Sequence, residues 1–208
     1  MMDGVYLVLD PEQTICRAPS EVARAAVTGG VTAVQWRLKS DAWARFWPEM
    51  LAVQALCCEH AVPFLINDRV DVALAVEADG AHVGQDDIPA IAARRLLPGR
   101  VLGVSVTDPE QVQAALAAGA DYLGVGPVFP TGSKPDAAQA MGLHGVAAIR
   151  ELTPVPLVAI GGITAANVRA VRRAGASMVA VVSAICGQSD PEAAARTLAN
   201  TFAVEPPT

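Results

Sequence analysis

Two kinds of segment alternate regularly along this chain. Short runs rich in Val, Leu and Ile alternate eight times with Ala-rich stretches of helical pattern. Strands that alternate with helices predict a parallel sheet. Eight such units in roughly 200 residues favour a closed barrel over an open sheet. The sequence therefore predicts an α/β fold, a single-domain (β/α)8 TIM barrel over residues 1–208, with its core between about residues 5 and 202.

An open flavodoxin-like or Rossmann sheet is the alternative, but the glycine-rich fingerprint G-x-G-x-x-G does not follow the first strand. The predicted strands cover residues 5–9, 33–37, 63–66, 80–83, 101–104, 122–126, 156–160 and 178–181. The predicted helices cover residues 20–28, 43–60, 70–77, 88–97, 109–118, 145–152, 165–174 and 191–202. Asp108, Thr164 and Asp190 are expected to cap the helices that follow them. Gly119 and Gly175 are expected to end helices in the left-handed conformation.

Charge and composition exclude several classes of protein. The formal net charge is −6, whereas a nucleic-acid-binding protein is usually basic. The mean hydropathy is high, at +0.37, but the chain lacks the run of about 18 apolar residues that a membrane span needs. The first residues lack the basic segment followed by an apolar segment that is typical of a signal peptide. The four cysteines form no C-x-x-C pair. We therefore expect a cytoplasmic protein that binds neither nucleic acid nor membrane.

Polar residues follow nearly every predicted strand, and in a barrel of this type the chemistry lies at the carboxyl ends of the strands. Gln35, Arg37 and Lys39 are spaced by two, so an extended strand places them on one face. Trp36 and Leu38 then face the helices. An inward row with two cations suits a polyanionic ligand. The alternative is that Arg37 and Lys39 are solvated or paired with a neighbouring loop.

Two aspartates follow neighbouring strands. Asp68 comes after the third predicted strand and Asp87 after the fourth. Two carboxylates with open positions for water and phosphate oxygens are typical of magnesium sites. The alternative is that each aspartate only caps the next helix. Asp71, one turn further on, is expected to pair with Arg69 or solvent.

The last two strands end in residues that suit a phosphate. Gly161 and Gly162 follow the seventh strand and Ser183 follows the eighth, the usual phosphate position in this fold. Glycines let backbone N–H groups approach phosphate oxygens, although a tight turn would also need them. The three histidines, His60, His82 and His144, are expected to have non-catalytic roles.

These rim residues resemble a known family. The segments Asn67-Asp68-Arg69, Gly84-Gln85-Asp86-Asp87 and Thr131-Gly132-Ser133-Lys134 together resemble those of thiamine phosphate synthases. Residues 34–39, 103–105, 124–136, 159–163 and 180–185 extend the resemblance over almost the entire chain. The segment Ala159-Ile160-Gly161-Gly162-Ile163 alone is weak, because many phosphate-binding barrels contain it.

The resemblance implies roles for individual residues. It implies that Asp68 and Asp87 hold Mg²⁺, the expected cofactor. The residues that would contact the pyrimidine diphosphate are Gln35, Arg37, Lys39, Asn67 and Lys134, with Ser105 against the pyrimidine. Those that would bind the thiazole phosphate are Thr131, Ser133, Gly162, Val182 and Ser183. Arg37, Lys39, Lys134 and Ser105 would carry the chemical step.

The implied activity is a transferase that joins the two small molecules to give thiamine phosphate and pyrophosphate, by a magnesium-assisted dissociative substitution. A thiazole tautomerase of the same fold is one alternative; it is opposed by the paired aspartates and by Thr107, which stands where a histidine often follows the serine segment. A non-catalytic phosphate-ligand-binding barrel is the other, and it would have lost some rim charges.

Leu38, where an acidic residue is common, and the large Trp36 also depart from the family pattern. The oligomeric state is left open, and a homo-oligomer is compatible with the sequence.

Overall fold

The computed structural model describes residues 3–132 and 139–203 and shows a closed barrel of eight parallel strands. Each strand is hydrogen-bonded to the next, and the last pairs with the first. The strands are β1 (Gly4–Leu9), β2 (Val31–Trp36), β3 (Phe64–Asn67), β4 (Gly80–Val83), β5 (Val101–Val106), β6 (Tyr122–Val125), β7 (Leu157–Ile160) and β8 (Met178–Val181). The predicted single-domain barrel is confirmed.

Helices follow the strands and cover the outside of the barrel. Within the described ranges they are α1 (Pro19–Thr28), α2 (Trp43–Glu59), α3 (Val70–Ala75), α4 (Ala90–Leu96), α5 (Pro109–Ala117), α6 (Gly142–Leu152), α7 (Val168–Arg173), α8 (Ser183–Cys186) and α9 (Pro191–Ala203). The short α8 was not predicted. None of the helices in this part of the chain is long and apolar enough to cross a membrane.

Most of the predicted helix ends are confirmed. The side chains of Asp108 and Asp190 accept hydrogen bonds from the first turns of α5 and α9, at 3.0 Å each. Gly119 and Gly175 have φ of +82° and +104°, as left-handed caps require. The prediction for Thr164 is wrong, because α7 begins later. Its N-cap is Asn167, whose side chain accepts from the Thr164 N–H within the preceding turn.

The alternation of side chains along the strands creates two apolar layers. The larger one lies between strands and helices and includes Trp36 and Leu38, so the predicted outward direction of both is confirmed. The smaller one fills the barrel interior with Tyr6, Val8, Ala33, Leu65, Tyr122, Val158, Met178 and Ala180. This inner layer packs the barrel interior, so a pocket at the carboxyl ends of the strands is closed at its base.

Candidate functional site

A cavity of about 790 Å³ opens at the carboxyl end of the barrel. Its volume lies within the roughly 300–1,000 Å³ that is usual for small-molecule sites. The predicted site residues that line it are Gln35, Arg37, Lys39, Asn67, Asp68, Asp87, Ser105, Thr131, Gly162, Val182 and Ser183. The remaining two, Ser133 and Lys134, lie outside the described residues. The strand order thus brings together residues that are far apart in the chain.

Arg37 has a protein partner that the sequence analysis did not identify. Its Nη1 donates to Oδ2 of Asp10 at 2.8 Å, and both side chains are largely buried. Asp10 follows β1 and also accepts from the backbone of Glu12 and the side chain of Gln13. The alternative of a salt bridge to a neighbouring loop is therefore correct for Arg37, and also for Lys39, which pairs with Asp68. Because a guanidinium has five N–H donors, this contact still leaves donors that can reach a ligand.

The two aspartates meet at the rim. The Asp68 and Asp87 carboxyl groups interact directly, and burial, followed by the neighbouring Asp87, raises the pKa of Asp68 above its usual value. The Lys39 ammonium opposes that rise and donates to Oδ2 of Asp68 at 2.5 Å. Two carboxyl groups held against each other form a site that favours a cation.

Neither aspartate caps the helix that follows it. The N-cap of α3 is Arg69 and that of α4 is Pro89, and neither helix has a side-chain cap. Asp87 instead accepts from the backbone N–H of Gly84 at 2.7 Å, which holds its side chain toward Asp68. Asp68 has a φ of +62°, a left-handed conformation that is uncommon outside glycine. Asp71 pairs with Arg69, as predicted.

The opposite side of the cavity is neutral and rich in backbone. Gly161 and Gly162 have φ of +104° and +62°. A Cβ atom on Gly162 would lie 2.6 Å from the Pro130 carbonyl oxygen and 2.8 Å from Cβ of Phe129. The turn after β7 therefore needs glycine to pack against the loop after β6. The two glycines are therefore required for steric reasons, and their backbone groups also line the cavity.

A chain of hydrogen bonds between side chains forms the floor of the cavity. Gln35 Nε2 donates to the Tyr6 hydroxyl at 3.1 Å, and the two tyrosine hydroxyls are 3.1 Å apart. The Tyr122 hydroxyl lies 2.9 Å from Nδ1 of His82. Nε2 of His82 lies 2.8 Å from Oγ of Ser105. Five residues from five strands are thus joined across the barrel.

Two glycines make room for this floor. A Cβ atom on Gly103 would lie 2.1 Å from Cζ of Tyr122, and one on Gly124 would lie 2.7 Å from Cε1 of His82. The space holds the His82 and Tyr122 rings stacked, with centroids 5.4 Å apart. Burial lowers the pKa of His82 to about 4, so its imidazole is neutral at pH 7. Burial also raises the pKa of Tyr6 to about 12, which keeps its phenol protonated.

Sequence reasoning missed four residues of this site: Asp10, Tyr6, Tyr122 and His82. A lone tyrosine or histidine inside a strand carries no local signal of function. One signal was present, because glycines inside strands β5 and β6 indicate close approach by other groups.

Comparisons with known proteins agree on the family. The chain matches the model of thiamine monophosphate synthase over residues 5–185. It is 49% identical to a thiamine-phosphate synthase from Chloroflexus aurantiacus, over 93% of this chain and 90% of the relative. It is also 49% identical to one from Desulfitobacterium hafniense, over 94% and 95%. The solved thiamine phosphate pyrophosphorylase from Pyrococcus furiosus superposes with a TM-score of 0.87 at 37% identity, covering 96% of this chain and 95% of that one.

Proposed function

The chain belongs to the thiamine monophosphate synthase family, and we propose that its substrates are 4-amino-2-methyl-5-hydroxymethylpyrimidine diphosphate and 4-methyl-5-(2-hydroxyethyl)thiazole phosphate, or the carboxylated form of the latter. The products are thiamine phosphate and pyrophosphate, and CO2 in addition when the thiazole carries the carboxyl group. The observation that carries this proposal is the division of one cavity into a charged side and a neutral, glycine-rich side. Two phosphorylated substrates of unequal charge need such a division.

The charged side suits a diphosphate only together with a divalent cation. Among its described residues, four carboxylates (Asp10, Asp68, Asp86 and Asp87) outnumber the cations Arg37 and Lys39. A diphosphate brought there alone would meet a net negative rim, which Coulomb repulsion disfavours. Mg²⁺ commonly takes one or two carboxylates and completes its shell with water and phosphate oxygens. Asp68 and Asp87 fit this requirement, and they are the residues that would hold it.

Bound there, Mg²⁺ would neutralise charge on the diphosphate. The C–O bond between the pyrimidine methylene and the diphosphate breaks, and its electron pair leaves with pyrophosphate. Arg37, Lys39 and Lys134 stabilise the growing negative charge. The electron-rich aminopyrimidine supports the cation left behind.

The thiazole nitrogen completes the reaction with its lone pair. It forms the C–N bond to the methylene and has no proton to lose, so this step needs no general base. The protein contributes by orienting the two rings for bond formation and by holding its cations against the leaving pyrophosphate. Ser105 contacts the pyrimidine, and Asn67 contacts its diphosphate.

The neutral side takes the thiazole phosphate. Thr131, Ser133, Gly162, Val182 and Ser183 bind the monophosphate through hydroxyl and backbone groups. A monophosphate carries less charge than a diphosphate, so donors without a formal charge suffice. Gly161 and Gly162 line the cavity, so their backbone groups can contact a monophosphate bound there.

A direct assay tests the proposal. The protein is mixed with both substrates and Mg²⁺, and thiamine phosphate is measured chromatographically beside reactions that omit each component. We expect product only in the complete mixture, and none when a chelator removes the metal. Full activity in the presence of the chelator would rule out the metal site. Conversion of the thiazole phosphate alone into a tautomer would assign the chain to the alternative activity.

A further inference from the structure

We infer that Tyr6, Tyr122 and His82 are positioning residues: they form a one-way hydrogen-bond relay that fixes the Ser105 hydroxyl as a donor toward the cavity. The inference rests on the proposed function, since it concerns how the pyrimidine is recognised. Three residues for which no functional role was predicted from the sequence would thereby decide which ring edge the site accepts.

The direction of the relay starts at Gln35. Its amide nitrogen points to Tyr6 and can only donate, so the Tyr6 hydroxyl accepts. A phenol has a single proton, and the neighbour left to receive it is the Tyr122 hydroxyl. Tyr122 must then pass its own proton on to Nδ1 of His82. Each hydroxyl in the row accepts from one side and donates to the other.

The direction at His82 follows from Tyr122, whose proton Nδ1 must accept. A neutral imidazole has one donor and one acceptor nitrogen. Because Nδ1 accepts from Tyr122, the proton lies on Nε2, and Nε2 donates to Oγ of Ser105. The Ser105 hydroxyl oxygen therefore accepts a hydrogen bond from His82 on the side of the barrel interior. Its own proton remains for the cavity that the residue lines.

The two ends of the relay present complementary groups to the same cavity. Gln35 also lines the cavity. Among the described residues its Oε1 has no hydrogen-bond partner, so this end of the relay presents an acceptor to a ligand. Ser105 offers a donor at the other. An amino group next to a ring nitrogen, the edge that a 4-aminopyrimidine carries, offers a donor and an acceptor in return. A 4-oxo pyrimidine offers the reverse pair and is mismatched at both ends.

The relay is built so that it can be reversed only as a whole. If the Gln35 amide turned over, every hydroxyl in the row would have to reverse, and His82 would carry its proton on Nδ1. Ser105 would then become an acceptor and the oxo ring would be preferred. The tautomer of His82 therefore reports the direction of the entire relay, and it can be measured without any enzymatic turnover.

The first experiment is ¹⁵N NMR of the histidine side chains in the full-length protein at pH 7. The chain has three histidines, and the His82 signals are identified by their loss in His82→Gln. We expect a protonated Nε2 and an unprotonated Nδ1. A protonated Nδ1 would overturn the relay, whatever the activity of the protein.

The second experiment measures binding by calorimetry with Mg²⁺ and without the thiazole substrate. The probes are the 4-aminopyrimidine diphosphate and its 4-oxo analogue, with inorganic pyrophosphate as a probe of the diphosphate half alone. The native protein should bind the amino compound about 100-fold more tightly, because two mispaired contacts cost roughly ten-fold each. Tyr122→Phe removes the link between Tyr6 and His82, so the ratio should fall to about ten-fold while pyrophosphate binding is unchanged.

The matched control is Thr153→Val, which removes a buried hydroxyl that bonds the Val155 N–H outside the cavity lining. It should keep the native ratio. An unchanged ratio in Tyr122→Phe would show that its hydroxyl is only structural and would overturn the inference. Failure of the native protein to bind either pyrimidine would instead refute the proposed function, and the recognition step with it, whereas the NMR result tests the relay separately.

Discussion

Replacing Asp68 by asparagine separates a metal ligand from a structural residue. Asparagine keeps the shape of the side chain but loses its charge. It also tolerates the left-handed φ of +62° better than most residues. Alanine would add backbone strain of about 1–2 kcal/mol at this position and would blur the result.

The structure predicts a small effect of Asp68→Asn on stability. The side chain caps no helix, so no cap is lost. Its ion pair with Lys39 involves a lysine side chain that is 49% exposed, and such a pair contributes only about 0–1 kcal/mol. The raised pKa of Asp68, caused by burial and by Asp87, means that the fold disfavours its charge. We therefore expect the free energy of unfolding to change by no more than about 1 kcal/mol.

The effect of Asp68→Asn on catalysis should be much larger. Loss of one of two carboxylate ligands should weaken Mg²⁺ and lower the rate of thiamine phosphate formation by roughly 100-fold or more. Steady-state assays over a range of Mg²⁺ concentrations and urea unfolding of the metal-free protein measure the two quantities. The matched control is Asp71→Asn, which removes an exposed carboxylate paired with Arg69 and should change neither. A variant with native activity and native Mg²⁺ dependence would refute the metal assignment, and severe unfolding would assign Asp68 a structural role.

Three further predictions concern other parts of the site. Gly162→Ala should lower the free energy of unfolding by about 1–3 kcal/mol, because the new Cβ meets Pro130 and Phe129, and it should raise the KM for the thiazole phosphate more than that for the pyrimidine diphosphate. Lys134→Ala should lower the single-turnover rate by about 100-fold or more; a change in KM alone would show uniform binding. The folded-state pKa of His82 is lowered from 6.5 to about 4, so the unfolded chain takes up a proton first. The contribution of His82 to the free energy of unfolding should be complete above pH 6.5 and fall between pH 6.5 and 4. The fall should be about 1–3 kcal/mol, since part of the ring faces the cavity. Urea unfolding of His82→Gln should show a smaller fall over the same pH range.

Local sequence patterns predicted the eight-unit barrel, most helix ends and the row of polar residues at its rim. These features depend on local rules: a side-chain period of two in a strand, capping side chains, and glycine at left-handed positions. The spacing of Gln35, Arg37 and Lys39 predicted a common face, and all three line the cavity, although β2 itself ends at Trp36. The carboxyl-terminal rim followed from the parallel direction that all strands of such a barrel share.

Which of these side chains meet depends on how the whole chain folds. Arg37 pairs with Asp10, and Tyr6 meets Tyr122 at a separation of 116 residues, because closure of the barrel brings distant strands across one axis. The hydrogen-bonded floor needs the register of five strands and the open space above Gly103, and no local pattern specifies either. A histidine that looks unremarkable in its own strand therefore acquires its role from partners on two other strands, since the direction of a hydrogen bond depends on what lies at both of its ends.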